Sequence, residues 1–432
     1  MSCLAVLAGL LAAAAAYGQV TVEGDKVVAA TASCRVTFDR GVIVGVENRR
    51  TGEKYTRPGE PGGLTGLRWT DQKLWLDAAA QVKATQTGPS SATFDCTLDG
   101  GHTLKMDIAL DAASGDLLVR QQATTTRKGL VGVQWGVGAL GSESVSVIVP
   151  GWSGVKFGKS PPIRQVTFDW PVGWEAQMVI AEGQAGRRTG EPRPPAGGFW
   201  VWTEDTGLRF KTLDLRYDRG AYSLGFQTLN AAPFEPHTAA TSVEWRLNCY
   251  QGDWRVPARR YRDWTERAYA LNKLADQRPA WVKDIRFLVI ASLPQVPEPA
   301  GGFTVLDELA KHVKPVATLL YIPSWRRDRY DLNYPDYTAH AGFGAFVEYA
   351  HKLGFRVMPH TNYFGCDLKH PLYEQFKAWH MRNPFDKKLA HWIPPRERDI
   401  ENPSIKFAYI NPASSAWRKL LTGLLTDVHR QF

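Results

Sequence analysis

The residues best suited to chemistry lie in the last third of the chain. "YIPSWRRDRYDLNYPDY" brings Trp325, Asp328, Asp331, Tyr334 and Asp336 into one polar loop. "GFRVMPHTNYFGCD" opens as a hydrophobic strand and ends with His360, Asn362 and Asp367 among aromatics. Trp392 follows in the Pro-rich "HWIPPRERDIENP". Polar groups cost free energy to bury, so a strand ending in them is either a loop reaching solvent or the rim of an active site. In an extended strand His360 and Asn362, two apart, share a face, with Asp367 in the loop beyond. The competing reading is that His360 and Asn362 only satisfy loop backbone groups.

The elements that must position these residues begin near Trp281, where strands and helices alternate. "IRFLVIASL" reads as a strand, "FTVLDELAKHV" as a helix and "PVATLLYIPSW" as a second strand. A helix with Phe343, Phe346, Val347, Ala350 and Leu353 on one face ends at Gly354. "FRVMPHTNYFG" is the third strand. Near-continuous apolar strands between amphipathic helices predict a parallel sheet covered by helices. Loops at the C-terminal ends of such strands carry the chemistry. Three ends are visible: "ASLPQ" after Ile290, and the two polar stretches above. A last helix is predicted from Asn411-Pro412, burying Trp417, Leu420, Leu421, Leu424 and Val428. Roughly 150 residues follow Trp281, against about 250 for a complete (β/α)₈ barrel. Three βα units and part of a fourth are therefore expected, which reads as a truncated gene product or a deliberate fragment.

Residues 19–250 have a different grammar of short β-prone runs broken by Gly, Pro and Asp, as in "CRVTFDRGVIVGVENRRTGEKYT", with turns at Asp39–Gly41 and Thr51-Gly52. No long amphipathic helix interrupts them, and a large antiparallel β-sandwich is predicted. Residues 251–280 hold a connecting helix in "GDWRVPARRYRDWTERAYALNK", with Asp253 as cap and Ala258, Tyr261, Trp264, Thr265 and Ala268 on its packed face.

The 432 residues fit two domains, and 44% hydrophobic with 22% charged residues describes a globular protein. The charge of +9 comes from scattered pairs such as Arg326-Arg327. No basic stripe with a reader motif appears, so nucleic acid is not an expected partner. The apolar run from Leu4 to Ala16 is too short to span a bilayer and has the length of a signal-peptide core. Residues 1–18 are read as a signal peptide cleaved near Gly18, giving a secreted or periplasmic protein without stable membrane insertion. Cleavage would leave Cys34, Cys96, Cys249 and Cys366. Four cysteines allow three pairings; Cys34 with Cys96 is one candidate, and free buried thiols are the alternative. No zinc-ligand spacing appears, and neither a metal nor another cofactor is expected.

The order "W…D…YPDY", helix, "GFRVMPHTN…D" resembles bacterial barrel hydrolases of the glycoside hydrolase superfamily, and more distantly α-galactosidases and α-glucosidases. Residues 35–55, and "WPVGWEAQMVIAEGQ" leading to "GGFWVWTED", are similar to the galactose-mutarotase-like supersandwich that precedes such barrels. "GDWRVPARRYRDW" looks like the usual bridge between them. The resemblance implies an N-terminal β-supersandwich followed by an incomplete (β/α)₈ barrel, residues 281–432. It also implies sugar contacts at Trp325, Asp331, Tyr334, Asp336, His360, Asn362 and Asp367; Trp392, from its place in the Pro-rich loop, is read as a further pocket aromatic. Glycoside hydrolysis uses two carboxylates about 5 to 9.5 Å apart. By resemblance the nucleophile and the acid/base are expected after Phe432, so residues 1–432 alone should not catalyse. The alternative is a non-catalytic carbohydrate-binding or scaffold protein. An aldose epimerase would want paired His and a Glu, and the first 250 residues hold only His102 and His237. "GWSGV" lacks the spacing of a serine hydrolase. Trp152, Trp170, Trp174, Trp200 and Trp202 are either a stacking platform or, the preferred reading, sandwich core. Sugar identity, stereochemical outcome and oligomeric state are not read from these residues.

Overall fold

The structure, a computed structural model, describes residues 18–58, 64–184, 196–290, 303–328, 330–393 and 404–432. The run Leu4–Ala16 and the "ASLPQ" segment lie outside them. The chain forms two compact units that divide between Asn272 and Lys273.

The first unit is built from two ten-stranded sheets. The first sheet runs in the order Gln19–Glu23, Lys26–Ala30, Cys34–Asp39, Val42–Asn48, Leu130–Gly141, Ala221–Leu229, Lys211–Asp218, Gln165–Trp170. The hairpin Gly66–Trp69/Lys73–Trp75 is attached to Leu130–Gly141. The second runs Val155–Phe157, Val145–Val149, Met178–Gly183, Gly197–Thr203, Trp245–Gln251, Leu117–Thr124, His102–Leu110, Ser91–Leu98, Gln81–Gly88, with Ala239–Thr241 attached to Leu117–Thr124. Neighbours are antiparallel except Val42–Asn48 beside Leu130–Gly141.

Period-two burial explains why these segments are strands. In His102–Leu110 every second residue, His102, Leu104, Met106, Ile108 and Leu110, is buried. The turn at Arg40-Gly41 has both residues at positive φ (50° and 77°), a twist that suits a two-residue hairpin link. The sandwich core is aromatic at its centre, where Trp245 stacks on Trp174 and tilts against Trp135 and Phe226. The helix Arg255–Ala268 sets Ala258, Tyr261 and Trp264 against Trp200 and Trp202 within this unit.

In the second unit Phe287–Ile290, Thr318–Ile322 and Arg356–Pro359 pair in parallel and in chain order. The helices Thr304–His312 and Phe343–Leu353 lie between them in sequence. Phe343, Phe346, Val347 and Ala350 form the buried stripe of the second helix, and Gly354 ends it in the left-handed region (φ 98°). Three short strands, Gly365–Cys366, Phe407–Tyr409 and His391–Trp392, form a separate antiparallel sheet that the βα pattern did not anticipate. A closed barrel is not formed among the described residues, whose parallel sheet has three strands.

Two boundaries need correction. The third parallel strand ends at Pro359, so His360 and Asn362 lie beyond it and the shared-face argument does not apply to them. The last helix runs Ser415–Gln431, with Ser414 Oγ accepting from the Trp417 N–H. Asn411 instead accepts from the Ala413 N–H and closes a turn before the helix. Trp417, Leu421 and Val428 are its buried face.

Candidate functional site

The second parallel strand places Tyr321 near its C-terminal end, and the third delivers His360 one residue past its own. The His360 N–H still reaches the Ile322 carbonyl at 3.1 Å, so the backbone continues the ladder and holds the ring beside Tyr321. The Tyr321 hydroxyl meets His360 Nδ1 at 2.6 Å. With the hydroxyl donating, the neutral ring keeps its proton on Nε2. Tyr330 also packs on the histidine, ring centroids 5.0 Å apart, and is 45% exposed.

Asp331 follows with a left-handed backbone (φ 64°), and its Oδ2 accepts from Trp392 Nε1 at 2.7 Å. Burial raises its pKa, opposed by the Trp392 hydrogen bond and by His360, Arg326 and Lys406. His360 is pushed down by burial, pulled up by Asp331 and lowered by Arg326. A half-buried carboxyl group, an imidazole whose pKa burial lowers and the rings of Tyr321, Tyr330 and Trp392 therefore converge. Such a cradle can accept and donate hydrogen bonds to hydroxyls while offering aromatic faces to an apolar ring face.

Other residues singled out in the sequence build the loop that carries this cradle. Trp325 is 1% exposed, stacks on Tyr337 and donates its indole N–H to the His360 carbonyl at 2.6 Å. Tyr334 is fully buried with Arg326 over its ring at 4.0 Å, and burial pushes its phenol up. Arg326 also donates to the carbonyls of Asp336 and Leu332. Asp336 bonds Arg327 at 2.7 Å and the Thr338 N–H at 2.8 Å. Burial raises its pKa, but the Thr338 hydrogen bonds and Arg327 outweigh it, so the net direction is down. Asp367 accepts from the N–H groups of Asn333 and Lys369, both at 2.9 Å. Asn362 accepts from those of Phe364 and Gly365, so its side-chain oxygen serves loop backbone. Asp328 accepts from Asn333 Nδ2 at 3.0 Å.

The geometry thus brings Asp331, His360 and Trp392 together and spreads Trp325, Tyr334, Asp336, Asn362 and Asp367 through the supporting loop. Tyr321 and Tyr330 were missed. Tyr321 reads as one more apolar strand residue, although a phenol at a strand's C-terminal end was a usable signal.

In the sandwich, Trp170, Trp174, Trp200 and Trp202 are buried and Trp152 is 53% exposed, which favours core for four of the five. His102 packs on Trp69, and His237 Nε2 bonds the Ala231 carbonyl. Buried Asp214 accepts from Lys73, Gln227 and Thr167 at 2.6–3.0 Å, a structural network invisible in sequence order. The candidate pair Cys34–Cys96 is not the one brought close: the Cys34 thiol faces Cys249, because the two strands meet across the sandwich. Among the described residues no group of three or more His, Cys, Asp or Glu side chains could hold a metal ion. No described helix is long and apolar enough to cross a membrane.

The fold of this chain is similar to that of a solved glycosidase. Alpha-N-acetylgalactosaminidase NagBb from Bifidobacterium bifidum, in complex with GalNAc, matches over 94% of this chain and 68% of its own. The TM-score is 0.63 at 13% identity. Its Gal-NHAc-DNJ complex gives 0.65 over 94% and 67%, and the ligand-free form 0.64 over 91% and 67%, both at 13% identity. At this identity the likeness shows a shared fold. Residues 240–432 match a family described as "Domain of unknown function (DUF6259)". No curated protein matches the chain.

Proposed function

We propose that this is a carbohydrate-active protein whose second unit binds a poly- or oligosaccharide at Tyr321, Tyr330, Asp331, His360 and Trp392. The observation that carries this reading is the convergence of the Asp331 carboxyl group and the His360 imidazole with three aromatic rings at the C-terminal ends of two parallel strands. The NagBb structures in complex with GalNAc and Gal-NHAc-DNJ support a sugar as the ligand class.

The finer reading is a glycoside hydrolase in which the parallel strands open a (β/α)₈ barrel. Phe287 and Ile290 are 52% and 65% exposed, whereas parallel sheets are ordinarily covered on both faces. A cavity of about 460 Å³ is lined by Val357 and Pro359 of the third strand, Val347 and Leu425, and would suit further barrel strands. Asp336 and Asp367 bind loop backbone, and Asp328 binds Asn333. By the resemblance drawn from the sequence, this reading places the nucleophile and the acid/base outside residues 1–432. Export, guided by the Leu4–Ala16 run, completes the proposal, and cell fractionation tests it.

Titration calorimetry of residues 19–432 with galactose, GalNAc and oligosaccharides containing them tests the core reading. Asp331→Asn and Trp392→Ala should each weaken binding about tenfold or more without changing the far-UV spectrum. Wild-type affinity in both folded variants would sink this site. Hydrolysis by residues 19–432 alone would contradict the assignment of the catalytic acids.

A further inference from the structure

We infer that Cys34 and Cys249 form a built-in cross-link site, joining the two sheets of the sandwich by a disulfide when the chain folds in contact with a disulfide oxidant. Cys34 begins the strand Cys34–Asp39 of the first sheet, and Cys249 lies in Trp245–Gln251 of the second. They are 215 positions apart in sequence, yet their sulfurs lie 2.8 Å from each other. That is less than about 1 Å longer than a disulfide bond.

Hydrogen bonds on both sides set this approach independently of the thiols. Ser33 Oγ donates to Asn248 Oδ1 at 2.7 Å. Asn48, paired opposite Cys34 in the first sheet, donates its Nδ2–H to the Tyr250 carbonyl at 2.7 Å. The neighbours of both cysteines are therefore tied across the sandwich, and little backbone movement separates the dithiol from the disulfide. All four described cysteines are free thiols and buried, and among the described residues only Cys34 and Cys249 are brought together.

The chemistry is ordinary exchange with an external disulfide such as oxidised glutathione. One protein thiolate attacks it, forming a mixed disulfide and releasing one small thiol. The second thiolate then displaces the other. Two protein thiols are oxidised, one external disulfide is reduced to two thiols, and the protons lost by the cysteines are recovered on them. In the folded core both residues are buried, at 3% and 5% exposure. Burial and the neighbouring Cys34 push the Cys249 thiol well above its ordinary value, and the thiolate is the attacking species. Attack on the external disulfide therefore belongs to the folding chain, while a cysteine is still accessible, and the second displacement follows as the closing sheets bring the two sulfurs together.

The test uses the full chain carrying Cys3→Ser, unfolded in denaturant with reductant and refolded with reduced and oxidised glutathione. Remaining thiols are then alkylated under denaturing conditions. Intact mass and peptide mapping should show one cross-link, Cys34 to Cys249, with Cys96 and Cys366 alkylated. The cross-linked form should melt at a higher temperature than protein refolded in reductant. Four alkylated thiols in folded protein, or a cross-link involving Cys96 or Cys366, would overturn the inference. The same oxidant added to protein already folded in reductant should leave all four thiols unlinked over the same period. The pairing is read on the parent chain, so the outcome does not depend on whether Cys34→Ser or Cys249→Ser folds.

Discussion

Asp331 and His360 each temper the shift that burial imposes on the other. Burial moves the acid up and the imidazole down, while their mutual attraction works against both shifts. Asp331→Asn removes the charge that pulls His360 up, so the histidine should titrate lower still. The imidazole signals in a proton NMR titration check this, and an unchanged or raised midpoint would separate the two groups. The stability linkage follows from the same directions. His360 is lowered on folding, so its contribution is complete above the ordinary histidine value and is lost as pH falls through the folded value. Asp331 is raised, so its contribution is complete below the ordinary carboxyl value and is lost as pH rises through the folded one. Both groups are partly exposed, which keeps the effects small. The sequence pointed to His360, Asp331 and Trp392 because each stands out as polar or aromatic in a loop after a strand. It could not separate them from Asp336 and Asp367, since a carboxylate bonded to backbone N–H groups has the same one-letter code as one bonded to a tryptophan side chain from a distant segment.

The elements that carry the site depend on a few termini. Gly354 adopts φ 98° to turn the chain from the helix Phe343–Leu353 into the strand that delivers His360. Gly354→Ala should cost about 1–2 kcal/mol from left-handed strain, and its Cβ would stand 3.1 Å from Val316. Urea denaturation followed by a probe in the second unit measures it. Ser414→Ala removes the cap of the last helix and should cost about 1 kcal/mol, seen as a lower urea midpoint at unchanged slope. Helix periods, the Gly354 stop and the hairpin glycines were legible because they are local. The start of the last helix was misplaced by a few residues because Asn411-Pro412 makes a turn that resembles a helix start. The third strand was drawn too long because apolar and aromatic residues continue past Pro359 into a loop.

At the scale of the molecule, the first unit rests on a core of packed aromatics. Trp245 is fully buried among Trp174, Trp135 and Phe226. Trp245→Ala should lower the stability of the sandwich by about 3–5 kcal/mol, read from tryptophan fluorescence in urea. A loss below about 1 kcal/mol would mean the cavity refills. By itself the sequence determined that a β-rich front half precedes alternating strands and helices, and that polar chemistry gathers after the parallel strands. Those properties follow from hydrophobic periods of 2 and 3.6 residues and from turn chemistry, all set by neighbours along the chain. Only the tertiary structure decided that Cys34 meets Cys249 rather than Cys96, that Tyr321 reaches His360, and that Trp392 reaches Asp331. These are contacts between distant segments, fixed by strand order and loop closure, and local periodicity carries no information about either.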